Sequence, residues 1–354
     1  MTANFLLYGA NGFVGQAIAR LSVQQGLRPV LAGRNSGQVG ALAADLGLEY
    51  RIFSLDDPPA IDRALRDMSL VLHCAGPFIY TFKAMADACL RLGVHYLDLT
   101  GEIPVYTALA ARDAEAQERQ VMLMPGVGFD VVPTDCLAAH LKLRLPTATH
   151  LTLAFQTSGP TRLPPGTART MLGTLPNATK VRRDGRLQDA QKEAKTRWFD
   201  FGRGPRQAVL LSWGDVFTAY YTTGIPNIED YIALPPVLIR LRRAADRLRP
   251  ALKLPLVRKL IAPLIPTGST PEQRARTRTH VWGEVTDDQG GIAVSRLHGP
   301  EAGVDWTSLA ALGVVKKVLD GQFQPGFQTP ARVFGADFVL EGEGVVREDL
   351  DEPA

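Results

Sequence analysis

The chain has 354 residues, which at roughly 150 residues per domain corresponds to about two domains. Hydrophobic residues make up 45% and charged residues 21%, which excludes wholesale disorder. Net charge is +3 and there are three cysteines with no CxxC pair, so nothing points to a nucleic-acid partner, a disulfide framework or a zinc ribbon.

The first third alternates. An apolar run at 5–8 leads into glycines and a helix over 13–25. A second run ends at Gly33, and a helix follows over 36–46. Strand 49–53 precedes a helix opened by Pro58 and Pro59, since proline is tolerated in a first turn. Strand 70–74, helix 82–92, strand 94–97, helix 108–119 and strand 121–124 complete the series. Short strands alternating with helices of ten or more residues predict a parallel sheet covered on both faces. Right-handed crossovers favour a doubly wound, Rossmann-type order. After about Leu145 the texture changes. Strands over 149–156, 208–213, 279–285 and 292–297 predict a second α+β domain on a mixed sheet. Residues 158–206 resist assignment, and the acidic tail from Asp349 is expected to be loose. There is no internal repeat, no HExxH metal motif and no apolar run of about 18 residues. The first residues form no basic leader, so a cytoplasmic protein without a spanning helix is expected.

Gly9-Ala10-Asn11-Gly12-Phe13-Val14-Gly15 lies between the first strand and the first helix. The GxxGxxG spacing suits a dinucleotide. One glycine makes the turn, one admits a pyrophosphate to the backbone, and one packs helix on strand. The helix N-terminus then offers N–H groups and its positive dipole end. The second strand ends Ala32-Gly33-Arg34-Asn35. An NAD site usually has an acid there for the ribose 2′-OH. Here a guanidinium stands instead, suited to a 2′-phosphate, with Asn35 adding a donor. The cofactor expected is therefore NADP(H). Cys74-Ala75-Gly76-Pro77 ends the fourth strand, and its small residues let the cofactor's ribose and nicotinamide pass. His73 and Cys74 read more simply as packed residues. Gly126 is placed beside the nicotinamide.

Four further stretches join this glycine turn: Cys74-Ala-Gly-Pro-Phe78, Tyr96-Leu-Asp-Leu-Thr-Gly-Glu102, Pro125-Gly-Val-Gly-Phe-Asp130 through Asp135, and Gly326-Phe-Gln-Thr-Pro330. Together they resemble the saccharopine dehydrogenase-like oxidoreductases, within the branch that holds the trans-acting enoyl reductases. The resemblance implies a Rossmann domain over 1–140, a substrate domain over 141–321, and a C-terminal segment, about 322–354, that returns to the first domain. It also implies a cleft site. A carboxylate-binding cluster of the kind saccharopine requires is not evident, although Arg162 and Arg169 lie near one another in sequence.

Hydride transfer requires a proton donor for the developing charge. Asp98, Glu102 and Asp130 follow strand ends and are the candidates. Glu102 reads equally as a first-turn acid on a helix dipole, and Asp130 as the cap of a helix near Pro133. Tyr80 is a weaker candidate. Residues 232–265 carry eight Lys/Arg against one acid and predict two short helices split by proline. A basic face with apolar partners suits a membrane surface or an acyl carrier protein; the plainer reading is a solvated hairpin. The expected activity is NADPH-dependent reduction of a small activated or apolar acceptor, such as an enoyl or keto thioester. An amino-acid-type imine reductase in the same fold and a non-catalytic dinucleotide-sensing protein are the alternatives. A homodimer is compatible with all three.

Overall fold

A computed structural model describes residues 4–160, 162–174, 177–190, 195–247 and 254–350. The chain divides into two compact units, residues 1–132 with 303–334, and residues 133–302 with 335–354.

The first unit is a seven-stranded sheet in which every pairing is parallel. Its strands are β1 (Phe5–Tyr8), β2 (Val30–Gly33), β3 (Tyr50–Ile52), β4 (Leu70–His73), β5 (His95–Asp98), β6 (Met122–Met124) and β15 (Gly326–Phe327). The order is β15-β6-β5-β4-β1-β2-β3. The chain starts in the middle and winds both ways, so β1 and β4 flank the reversal point. Both are buried at every residue, as strands covered on two faces must be, and this is why they read as unbroken apolar runs. The helices α1 (Phe13–Gln24), α2 (Ser36–Leu46), α3 (Pro58–Leu65) and α4 (Phe82–Leu92) follow the predicted positions. The single helix expected over 108–119 is two, α5 (Ile103–Ala110) and α6 (Asp113–Glu118). Asp113 spends its Oδ1 on the Phe327 N–H, 2.7 Å away, tying α6 to the two-residue strand β15.

The second unit begins with α7 (Val132–Arg144). Its strands are β7 (His150–Ser158), β8 (Lys180–Arg183), β9 (Arg186–Asp189), β10 (Thr196–Asp200), β11 (Pro205–Leu211), β12 (Asn227–Ala233), β13 (Arg278–Thr286), β14 (Ile292–Gly299) and β16 (Val346–Leu350). The order is β10-β11-β12-β7-β13-β14-β16, with β8 on β12 and β9 on β8. Among the described strands, β12 and β7 pair in parallel and the other pairs are antiparallel, so this sheet is mixed, as the alternating segments predict. Gly283 on β13 lets α7 lie close. A Cβ there would stand 2.6 Å from the Leu141 side chain. Trp282 points to the opposite face and packs with Phe199, Tyr231 and Ala154.

Two boundaries differ from expectation. The return to the first unit starts before residue 322, with the helix Thr307–Leu319, and it ends at Phe334. Residues 346–350 join the second sheet instead. Nor is the tail loose at Asp349. That carboxylate accepts from Ser295 Oγ at 2.6 Å and pairs with His140 at 2.8 Å. Residues 351–354 lie outside the described residues. In the stretch 158–206, a helix (Pro165–Thr174) and three strands are present. Of the two basic helices expected in 232–265, Pro236–Arg247 and Pro255–Ile261 are described; residues 248–253 fall outside the described set.

Candidate functional site

At the reversal point of the first sheet, the turn after β1 carries the glycines. Gly9 has φ +84°, and a Cβ on it would stand 2.9 Å from the Ala75 nitrogen. The turn and the end of β4 are therefore in backbone contact. A Cβ at Gly15 would overlap the Gly9 carbonyl oxygen, so α1 packs on the turn more closely than any side chain allows. Gly15→Ala is expected to cost about 1–3 kcal/mol, the range for overpacking, read as a lower urea midpoint with unchanged slope. The N-terminus of α1 has no side-chain cap and no acid in its first turn. Gly12 and Phe13 are exposed beside it, and Val14 is partly buried. The arrangement leaves positive backbone dipole facing solvent, which suits a phosphate.

Asn11 and Asn35 serve structure as well. Asn11 Nδ2 donates to Gln38 Oε1 at 2.8 Å, fastening the turn to α2. Asn35 Oδ1 accepts from the Gln38 N–H at 3.0 Å as the N-cap of α2. Arg34 differs from both. It is exposed, and among the described residues it makes no ion pair or hydrogen bond. Its nearest recorded electrostatic influence is on Tyr8, whose hydroxyl burial pushes up to about 12 while Arg34 and Asp56 pull in opposite directions. No acid occupies the end of β2.

The loop Cys74–Pro77 is held from two sides. Thr81 Oγ donates to the Ala75 carbonyl at 2.7 Å and contacts His73 Nε2 at 3.0 Å. Glu102 accepts from the Phe78 N–H at 2.7 Å and the Ile79 N–H at 3.1 Å. His73 is fully buried, and burial lowers its pKa to about 3, so it stays neutral. Burial also pushes the Cys74 thiol up, which favours its protonated form.

The three acids separate by environment. Asp98 is completely buried. Its Oδ1 accepts from the Thr100 and Gly126 N–H groups, each at 2.9 Å, and its Oδ2 from Tyr96 at 2.7 Å. Burial raises its pKa to about 6 and those bonds pull it back. Asp98 is a strut between β5 and the loop after β6. It holds Gly126, whose φ is +77° and which any Cβ would drive into the Tyr106 hydroxyl. Glu102 is likewise a strut: both oxygens hold the backbone of residues 78–79. Both acids are held by structural donors, which gives each a positioning role at the loops beyond the strand ends. Glu102→Ala is expected to lower stability by about 2–3 kcal/mol, because it strands two backbone N–H groups; a thermal melt reads this.

Asp130 alone is partly exposed. Its Oδ2 lies 2.7 Å from where a Cβ at Gly101 would stand, so only glycine at 101 leaves it room. Burial raises its pKa to about 7. The loop carrying it is anchored by Thr307 Oγ, which accepts from the Phe129 N–H at 3.2 Å. Tyr80 is 84% exposed, and its hydroxyl has no described hydrogen-bond partner. Sequence reasoning missed Thr81, Tyr96 and Thr307. Thr81 sits directly before α4 and reads as a helix cap, yet its side chain caps nothing and turns to Ala75.

A family model of the saccharopine dehydrogenase NADP-binding domain matches residues 5–124. A saccharopine dehydrogenase-like oxidoreductase of Mus musculus is 25% identical over 154 residues, which is 37% of this chain and 35% of that protein. A trans-acting enoyl reductase of Mycobacterium leprae is 29% identical over 150 residues, 40% of this chain and 36% of that one. The chain thus matches these relatives over little more than a third of their length. Among solved structures, saccharopine dehydrogenase (L-Glu forming) from Saccharomyces cerevisiae superposes with a TM-score of 0.67 over 98% of this chain and 100% of that chain, at 14% identity, which shows a common fold. Residues 5–124, with their glycine turn and all-parallel sheet, match the saccharopine dehydrogenase NADP-binding domain family.

Proposed function

We propose that the chain is an NADPH-dependent oxidoreductase that reduces an activated or apolar small molecule, with an enoyl or keto thioester as the first candidate. The observation that carries the cofactor reading is Arg34, exposed and without a hydrogen bond or ion pair among the described residues, at the end of β2, where no acid stands to take a ribose hydroxyl. The uncapped N-terminus of α1 fits the pyrophosphate and the Ala75–Pro77 backbone fits the ribose side. When bound, the dinucleotide supplies the hydride. The chain's own part is to orient and to protonate. Gly9, Gly12 and Gly15 hold the turn open. Asp98 and Glu102 fix the two loops beyond the strand ends. Asp130 gives a proton to the acceptor carbon or oxygen as the hydride arrives, and it is reprotonated from water.

The test is a pair of fluorescence titrations with NADPH and NADH, followed by an acceptor panel. NADPH is expected to bind at least tenfold tighter, a gap of about 1.4 kcal/mol. Oxidation with enoyl or keto thioesters supports the reading. Oxidation only with an amino acid plus a 2-oxo acid replaces it with imine reduction. Tight NADPH binding with no turnover makes the protein a sensor. Equal binding of both cofactors removes the role given to Arg34.

The helix Pro236–Arg247 adds a proposed partner, an anionic membrane surface. Ile239 is buried and anchors it, while Val237 (58%), Leu238 (43%) and Leu241 (60%) stay exposed beside Arg240. No described helix is long and apolar enough to cross a membrane. Apolar side chains next to a cation favour peripheral attachment. The protein is expected to sediment with phosphatidylserine vesicles more than with neutral ones, less so in high salt, and Leu241→Glu is expected to abolish this. Retention by an acyl carrier protein without vesicle binding would assign the surface to that partner instead.

A further inference from the structure

A second cluster lies wholly within the second unit, on the face of the mixed sheet that carries Trp282. The β13–β14 register sets His280 opposite His298 and Trp282 opposite Arg296. The β14–β16 register sets Glu348 beside Arg296. The sheet curls far enough to bring β10 over this face, with the Phe199 and Trp282 rings 4.8 Å apart. After β10, Asp200 Oδ1 accepts the N–H groups of Gly202, Arg203 and Gly204 at 2.8–3.1 Å. That tight turn, with Gly202 at φ +89°, presents Arg203 to the same place. The result is a cavity of about 350 Å³ lined by two arginines, two histidines and Glu348.

Arg296 is the anomaly. It is 7% exposed, its Nε has no hydrogen-bond partner among the described residues, and its two carboxylate neighbours stand off. Asp200 Oδ2 is 3.8 Å away and Glu348 Oε2 is 3.6 Å away, both beyond hydrogen-bond distance. A buried guanidinium is costly unless its donors are met by a close acceptor. Glu348 is half exposed at the rim and able to swing away. The histidines extend the donor set. Ser158 Oγ donates to the Arg278 carbonyl at 3.2 Å, which leaves His280 Nε2–H to donate to Ser158 Oγ, also at 3.2 Å. His280 Nδ1 is then the acceptor for His298 Nδ1–H at 2.7 Å. That order turns the bare lone pair of His298 Nε2 toward Glu348, 3.6 Å away.

We propose that this cavity binds the oxyanion group of a small molecule, a carboxylate or a phosphate, held by Arg296 and Arg203. The proposal does not depend on the dinucleotide reading, because none of these residues belongs to the first unit. Burial, His298 and Arg203 together lower the pKa of His280 to about 4, so that imidazole is neutral at pH 7.

Isothermal titration of the full chain with inorganic phosphate and, separately, succinate at pH 7 tests this. One site is expected for at least one of the two, and the stronger of the two names the ligand class. Arg203→Ala changes an exposed residue. It is expected to weaken that binding at least fivefold while leaving the NADPH affinity and the thermal melt unchanged. Absence of binding by both anions, or an Arg203→Ala variant that binds as well as the parent, overturns the proposal.

Discussion

Arg34→Ala is expected to weaken NADPH binding by about 1.5–3 kcal/mol, roughly ten- to a hundredfold, and to leave NADH binding nearly unchanged. The size follows from one charge-assisted interaction between a guanidinium and a phosphate dianion. The selectivity follows from what Arg34 touches. It is exposed and holds no partner among the described residues, so its removal breaks nothing in the fold. Only a ligand carrying a 2′-phosphate registers the loss. Arg34→Lys is expected to recover part of the affinity, because an ammonium keeps the charge and loses the bidentate fork. The same contact is screened by salt, so the NADPH–NADH gap is expected to narrow as ionic strength rises. A double titration at two salt concentrations, on parent and variant, checks all of this. Equal losses for both cofactors would instead mean that Arg34 shapes the turn.

What was legible in the sequence depended on how local the physics was. The βαβ core could be read because strands buried on both faces are continuous apolar runs, and because Gly15 marks a backbone contact with nearby Gly9. The roles of the acids could not. Asp98 and Glu102 have the residue type and place of proton donors. What gives them a structural part is which N–H groups they meet, at Gly126 and at Phe78, 28 and 24 positions away. Thr307 reaches the Asp130 loop across 178 positions, and no periodicity announces it. In the second unit one signal went unused. Arg183-Asp184-Gly185-Arg186 joins β8 to β9 with positive φ at Asp184 (47°) and Gly185 (74°), the two-residue Asp-Gly hairpin turn. The flanking strands carry too many charges to read as strands alone. Arg183 and Glu229 pair across the sheet, which hides those charges in the fold but not in the sequence. The His280–His298 contact was illegible for the same reason: it exists only through the register of β13 on β14.

Asp130→Asn is expected to lower turnover by about a hundredfold to ten-thousandfold with little change in cofactor affinity. The amide keeps the volume beside Gly101 and removes the transferable proton. The sign of the pH effect is fixed by the role. In the proposed role the protonated acid is the donor, and its pKa is raised to about 7, so kcat/KM of the parent is expected to fall about tenfold per unit above that pH. The variant profile is expected to be flat there. Stability gives an independent reading of the same proton. An unfolded aspartic acid titrates near 3.9, so the folded chain binds this proton more tightly than the unfolded one does. Its contribution is therefore fully present below about pH 4 and is lost as pH rises through about 7. Asp130→Asn does not titrate, so its stability relative to the parent is expected to increase between pH 5 and pH 8 in urea unfolding. Gly101→Ala supplies the geometric counterpart. The new Cβ would stand 2.7 Å from Asp130 Oδ2 and must displace it. Turnover is then expected to fall while the ionising group, and hence the pH dependence of kcat/KM, persists. A Gly101→Ala variant with parental turnover would show that the carboxyl's position beside Gly101 is immaterial to the proton transfer.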